Sequence, residues 1–158
     1  MNEEAKKNIL RKIPTGLYVI GLKDRDSHHA FTGSWLSQCS MKPPRVMLGV
    51  RKGSHSLGLI EESKVFSINL MAKSDKKIVE QFFKHTPADG NRFGDLPFSL
   101  KKTHTPILDK AIAYLECEVK GVFDGGDHAI VIGEVVEAEV LKDEAPLIMS
   151  DTPWHYGG

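Results

Sequence analysis

The sequence has little cysteine and no long hydrophobic run. Its two cysteines, Cys39 and Cys117, are too few and too far apart for a disulfide framework, and neither belongs to a Cys-x-x-Cys pair. We therefore expect a cytoplasmic protein in which Cys117 is a buried thiol. No apolar stretch approaches the ~20 residues that span a bilayer, and the Lys- and Glu-rich residues 1–12 do not resemble a signal peptide. Secretion and membrane insertion are not expected.

An excess of charge is also absent. Lys and Arg together number 21, as do Asp and Glu. A neutral chain has no overall electrostatic attraction to nucleic acid or to an anionic membrane, so neither partner is expected. The length of 158 residues and the 41% of hydrophobic residues are typical of a globular domain. We expect a single domain over residues 1–158.

Strand signals dominate what is present. The candidate strands are residues 16–22, 45–51, 65–71, 114–123 and 128–141. The last two are joined by Asp-Gly-Gly-Asp at 124–127, which is typical of a tight hairpin. Short helices are predicted at 3–11, 54–62 and 75–85, the third burying Ile78, Val79, Phe82 and Phe83. Because strands and helices do not alternate, the pattern favours a mainly β fold, a β-barrel with short inserted helices.

The common nucleotide-binding motifs Gly-x-Gly-x-x-Gly and Gly-x-x-x-x-Gly-Lys-Ser/Thr are missing. Residues 50–56 nevertheless join a strand end to a helix start. They offer the cations Arg51 and Lys52, the hydroxyls of Ser54 and Ser56, and the free N–H groups of the helix. This stretch fits a cradle for a monophosphate. Taken alone, it fits somewhat better a solvated turn in which Ser54 only caps the helix.

Residues 30–40 are small and polar where a core strand would be aliphatic. Small residues let a flat ring approach the backbone, and the hydroxyls of Thr32, Ser34 and Ser37 can bond its polar edge. A flavin has such an edge.

In their order along the chain, these segments resemble the flavin reductase-like, FMN-binding split-barrel family, of Greek-key type. The matching positions are Pro14–Gly16, Thr32–Trp35, Ser40, Pro43-Pro44, Val46–Arg51, Ile60–Ser63, Phe66–Asn69 and Gly126–His128. No single motif is specific, but the order covers most of residues 14–140. The resemblance implies FMN as cofactor, NADH or NADPH as electron donor, and a homodimer. It also implies a reaction in which hydride passes from the nicotinamide to the flavin, with a monooxygenase or another acceptor taking the electrons.

The resemblance also assigns residues to roles. The residues implied to line the isoalloxazine are Thr32, Gly33, Ser34, Trp35, Leu36 and Ser40. Those implied to hold the phosphate are Arg51, Lys52, Ser54 and Ser56. His128 would face the nicotinamide as the catalytic candidate, although a histidine in that position also fits a simple hydrogen bond to its own hairpin.

Other readings stay open from the residues alone. Trp35 fits the core, and Trp154 and Tyr156 fit either a docked tail or a dimer contact. His28 and His29 have no evident companions for a metal ion, so a solvated turn without metal is expected. Rival functions are a flavoredoxin-like electron carrier, an amine oxidase of the same barrel class, and a flavin- or haem-binding sensor without turnover.

Overall fold

The computed structural model describes residues 1–158. The helices are α1 (Glu3–Leu10), α2 (His55–Ser63) and α3 (Lys76–Gln81), with a short 3-10 helix at Met149–Asp151. The strands are β1 (Tyr18–Lys23), β2 (His28–Gly33), β3 (Leu36–Met41), β4 (Pro44–Arg51), β5 (Val65–Leu70), β6 (Thr86–Pro87), β7 (Arg92–Phe93), β8 (Leu96–Leu100), β9 (Pro106–Leu108), β10 (Ala113–Asp124) and β11 (His128–Val140). The helices are few and short, which confirms the predicted mainly β class.

Eight strands form one antiparallel sheet in the order β3-β4-β11-β10-β5-β1-β2-β6. The two ends of this series, β3 and β6, are not hydrogen-bonded to each other. Strands β7, β8 and β9 form a separate small sheet. None of the helices has both the length and the apolar character needed to cross a membrane.

Two apolar cores share strand β1. Ile20 and Leu22 belong to one core, together with residues of α2, while Val19 and the preceding Leu17, just before the strand, belong to the other, together with Phe82. Successive side chains of a strand point to opposite faces, so a strand buried on both faces is hydrophobic throughout rather than alternating. This is why residues 16–22 read as one continuous apolar run.

The turn between β4 and α2 follows directly from its sequence. Gly53 has φ +72°, a conformation that side chains disfavour, and Ser54 then begins the helix as its N-cap, accepting a hydrogen bond from the Leu57 N–H at 3.2 Å. The chain therefore reverses sharply at the end of β4. The first turn of α2 lies beside the last residue of that strand.

The predicted third helix is longer than the real one, and one of its core assignments is wrong. α3 ends at Gln81, so the following residues leave the helical face. Val79 and Phe82 are buried as predicted, but Phe83 is 49% exposed.

Asn69, which closes the Phe-x-x-Asn segment, holds three elements together from a fully buried position. Its amide donates to the carbonyls of Val19 and Pro106 at 3.1 and 3.2 Å and accepts from the Leu108 N–H at 2.8 Å. Buried polar groups that lose their partners destabilise a fold. The segment is therefore structural at this position.

We predict that Asn69→Ala lowers the free energy of unfolding by about 2–4 kcal/mol, because it removes three buried hydrogen bonds and takes the side-chain acceptor away from the buried Leu108 N–H. Asn91→Ala, at an exposed position, should change it by less than about 0.5 kcal/mol. Urea denaturation of both variants measures the difference. Equal effects would contradict the structural role of Asn69.

Candidate functional site

A cavity of about 420 Å³ lies where the end of β2, the end of β4 and the start of α2 meet the C-terminal residues. This volume falls within the roughly 300–1,000 Å³ of small-molecule sites. Among the residues expected at the site, those that line the cavity are Thr32, Gly33, Ser34, Trp35, Arg51, Ser54, Ser56 and His128. The fold thus brings two distant segments of the sequence and one histidine to a single place.

Three of the expected residues lie outside the cavity lining. Leu36 packs against the core, and Ser40 lies farther along β3, opposite Arg45. Lys52 forms an ion pair with Asp124 in the β10–β11 turn. Its charge is therefore directed at the hairpin, and Arg51 is the cation on the cavity wall.

The small-residue wall consists of the end of β2 and the two residues after it. The Thr32 hydroxyl donates to the Val79 carbonyl at 2.7 Å, and its N–H donates to Phe82 at the same distance, so Thr32 is engaged in the fold. Ser34 is 8% exposed. Its hydroxyl oxygen is not among the fully buried polar atoms, all of which have hydrogen-bond partners. Because its hydroxyl makes no bond within the protein, it is free to bond a ligand in the cavity.

Trp35 stands at the turn between β2 and β3 and is 38% exposed. Its ring centroid lies 4.5 Å from that of His128 and 5.1 Å from that of Tyr156. Its carbonyl accepts a hydrogen bond from the Gly49 N–H at 2.8 Å, and a methyl group at Gly49 would lie only 3.1 Å from the Trp35 Cβ. The ring thus depends on the absence of a side chain at position 49. Trp35 belongs to the cavity wall rather than to the core.

Another part of the cavity wall is positive. Arg51 ends β4 and has no ion pair within the protein, and the next turn presents Ser54 and the N-terminus of α2. The first N–H groups of a helix have no intrahelical partner and carry about half a positive charge together. A cation beside a helix N-terminus is a donor set that suits a phosphate group.

His128 is positioned by sheet pairing. It lies directly opposite Arg51 in the β4–β11 register. Its Nδ1 shares a 2.8 Å hydrogen bond with Asp127, which lowers the pKa of that carboxyl, and its Nε2 shares a 2.7 Å bond with the Tyr156 hydroxyl. His128 therefore bonds its own hairpin, and it also lines the cavity.

The C-terminal residues complete the wall as a docked tail. Trp154 packs edge-on against Phe83 with centroids 4.7 Å apart, and the Gly157 carbonyl accepts a 3.2 Å hydrogen bond from Arg11. Phe83, Trp154 and Tyr156 all line the cavity. The sequence signal for Phe83 was an aromatic residue just beyond a short helix, which was misread as core.

The two histidines at 28 and 29 differ from the sequence-based expectation. His28 and His29 lie in β2 rather than in a solvated turn, and His29 is only 7% exposed. Its ring contacts those of His55 and His85, at centroid distances of 5.3 and 4.8 Å. Burial lowers the pKa of His29, and burial together with the neighbouring rings lowers the pKa of His85 to about 4. The expected lack of companions for His29 is wrong.

The chain belongs to the flavin reductase like domain family, whose model matches residues 10–156. Diflavin flavoprotein A 1 of Synechocystis sp. is 32% identical over 134 residues, which are 84% of this chain and 23% of that protein. The flavin-dependent monooxygenase reductase subunit HsaB of Mycobacterium tuberculosis is 30% identical over 129 residues, 82% of this chain and 67% of that protein. The chain thus spans about a quarter of the diflavin flavoprotein.

Among solved structures, the NADH:FAD oxidoreductase SgcE6 of Streptomyces globisporus, in complex with NAD and FAD fragments, superposes with a TM-score of 0.80. The match covers 90% of this chain and 85% of that chain at 22% identity. At this identity the likeness shows a shared fold.

The cavity fits the flavin that this family implies. One part of the wall supplies a cation and helix N–H groups for a phosphate, and the adjoining part supplies small residues, a free hydroxyl and an aromatic face for a planar ring. These two chemistries suit the phosphate and the ring of a flavin nucleotide.

We predict that Gly49→Ala displaces Trp35 and weakens FMN binding by roughly tenfold, since a new methyl group would press on the Trp35 ring. Gly58→Ala is the matched control, because a methyl group there meets nothing within 4 Å and stabilises the helix by about 0.5–1 kcal/mol. Fluorescence titration with FMN measures both. Unchanged FMN affinity in Gly49→Ala would show that Trp35 does not shape the site.

Proposed function

We propose that the protein is an FMN-binding flavin reductase that takes hydride from NADH or NADPH. Reduced flavin, or its electrons, then passes to an acceptor such as a monooxygenase. The observation that carries the proposal is one cavity with a phosphate-type cradle at Arg51 and an aromatic, histidine-bearing face at Trp35 and His128. The monooxygenase reductase subunit among the relatives, and the NADH:FAD oxidoreductase among the structures, support this choice.

The flavin supplies the redox chemistry when bound, by accepting hydride from the nicotinamide. The chain supplies binding and orientation. Arg51 and the N–H groups at the start of α2 hold the phosphate, and the Ser34 hydroxyl bonds the polar edge of the ring. Trp35 and the tail residue Trp154 exclude water from the ring.

His128 would act as a positioning group for the nicotinamide. Asp127 accepts the Nδ1 proton, which leaves Nε2 as an acceptor facing the cavity. In the free protein the Tyr156 hydroxyl is close enough to donate to that nitrogen. A nicotinamide carboxamide N–H can replace that hydroxyl without leaving His128 unpaired.

We also propose a homodimer that forms through the exposed face of β3, β4 and β11. Met47 of β4 and Ile130 of β11 project from the same face of these adjacent strands and are 40% and 37% exposed. Apolar side chains grouped on one surface are typical of protein interfaces.

Arg51 lines the cavity, whereas Lys52 is paired with Asp124. Arg51→Ala should raise the Kd for FMN roughly 10- to 100-fold, because charge-assisted hydrogen bonds contribute about 1.5–3 kcal/mol each. Riboflavin, which has no phosphate, should bind both proteins equally. Lys52→Ala is the control and should have little effect, since its ion pair is with Asp124. Equal losses in the two variants would contradict the assignment of the cradle to Arg51.

The reductase activity is tested by adding NADH anaerobically to the FMN-loaded protein and following the flavin absorption bands. We expect bleaching within seconds in the wild type, and in His128→Ala a kcat/KM for NADH about tenfold lower with an unchanged Kd for FMN. Bound flavin that both NADH and NADPH leave oxidised would favour the electron-carrier function instead. A wild-type rate in His128→Ala would remove the role of His128 but not the reductase assignment.

A further inference from the structure

Three histidines from separate segments converge beside the cavity. His29 lies in β2, His55 is the first residue of α2, and His85 follows α3. One ring nitrogen of each lies within 4.8 Å of the others. The rings of His55 and His85 are the closest pair, with centroids 4.4 Å apart.

We propose that His29, His55 and His85 form a binding site for a divalent transition-metal ion of the imidazole-preferring class, with Zn²⁺ as the representative. Neutral imidazoles are the most common ligands of such ions, and three of them from one protein leave a fourth position for water. The site adjoins the cavity, whose lining includes His85, but the proposal does not depend on the reductase assignment.

The inner nitrogens are close to metal-binding geometry. His29 Nδ1 and His85 Nε2 face each other at 2.9 Å and share one proton. Two nitrogens bound at about 2.0–2.1 Å to a tetrahedral Zn²⁺ lie about 3.3–3.4 Å apart. A metal ion can therefore take the place of the shared proton with a small outward movement of the two rings. The widest nitrogen separation, 4.8 Å, must shorten by about 1.4 Å.

The outer nitrogens already have the partners that metal-bound histidines need. His29 Nε2 shares a 2.9 Å hydrogen bond with the Ser27 hydroxyl, and His85 Nδ1 shares a 2.8 Å bond with the Ser56 hydroxyl. Such outer contacts orient the ring and direct its other nitrogen toward the metal. Both rings are thus held with one nitrogen fixed and one turned inward.

Hydrogen bonding does not explain the position of the His55 ring in the cluster. Its ring makes no hydrogen bond within the protein, although it lies against two other imidazoles. It is exposed, so the cluster is open to ions from solvent and its side chain is free to adjust. A cluster built only for hydrogen bonding would not need this third ring, whereas a metal site would.

The test uses the full chain without an affinity tag, stripped with a chelator and titrated with Zn²⁺ by calorimetry. We expect one Zn²⁺ per chain and a rise in Tm on binding, because a ligand of the native state stabilises it. Co²⁺ should give the ligand-field absorption of a tetrahedral nitrogen site. His55→Ala and His85→Gln should each lower the Zn²⁺ affinity at least about tenfold.

The variants are chosen so that folding does not confuse the result. His55 is exposed, and Gln at position 85 keeps a polar group beside Ser56. His104→Asn removes an exposed histidine at φ +58°, a conformation that asparagine tolerates, and should bind Zn²⁺ like the wild type. Absence of saturable Zn²⁺ binding would overturn the proposal. Wild-type affinity in the double variant H55A/H85Q would also overturn it, by placing the ion elsewhere.

Discussion

The antiparallel pairing of β4 with β11 is the constraint on which the site depends. It sets Arg51 opposite His128, and the Lys52 N–H extends the pairing by donating to the Asp127 carbonyl at 3.0 Å. Arg51 and the histidine of the cavity are therefore fixed relative to each other by backbone bonds. Successive side chains of a strand point to opposite faces of the sheet, so a slip of either strand by one residue would turn its core valine, Val50 or Val131, out of the core. Burial of these side chains therefore fixes the register.

The aromatic end of the cavity is assembled differently. Trp35 lies over β4 because position 49 has no side chain, and the tail closes against it. Gly157, at φ +83°, passes so close that a methyl group there would lie 2.8 Å from the Trp35 ring. The charged end thus rests on sheet hydrogen bonds, whereas the aromatic end rests on close packing.

The sequence was sufficient for the features that a local pattern encodes. The long hairpin at residues 113–140 followed from β-branched runs around an Asp-Gly-Gly-Asp turn, and the β4–α2 turn followed from Gly53 and Ser54. The strands β6 and β7 have two residues each, too few for any period to show. From the sequence, Arg51 and Lys52 are two neighbouring cations with the same predicted role. Only the ion pair of Lys52 with Asp124, which the fold creates, distinguishes them.

Contacts between distant segments were beyond prediction for a physical reason. His29, His55 and His85 are spaced by about 26 and 30 residues, so no helical or strand period relates them, and only the packing of α2 and the α3 loop against β2 brings them together. The same holds for the tail, whose aromatic residues carry no periodic signal.

Ser56 connects the two clusters of chemistry in this molecule. Its hydroxyl oxygen bonds His85 and its side chain also lines the cavity at the phosphate end. A hydroxyl can accept one hydrogen bond while it donates another. If His85 Nδ1 donates to the Ser56 oxygen, the Ser56 hydroxyl is free to donate its own proton to an anion in the cavity. The imidazole proton of His85 is then on Nδ1, and Nε2, which faces His29, carries a lone pair. The tautomer that serves an anion in the cavity is thus the one that leaves an inward lone pair on His85.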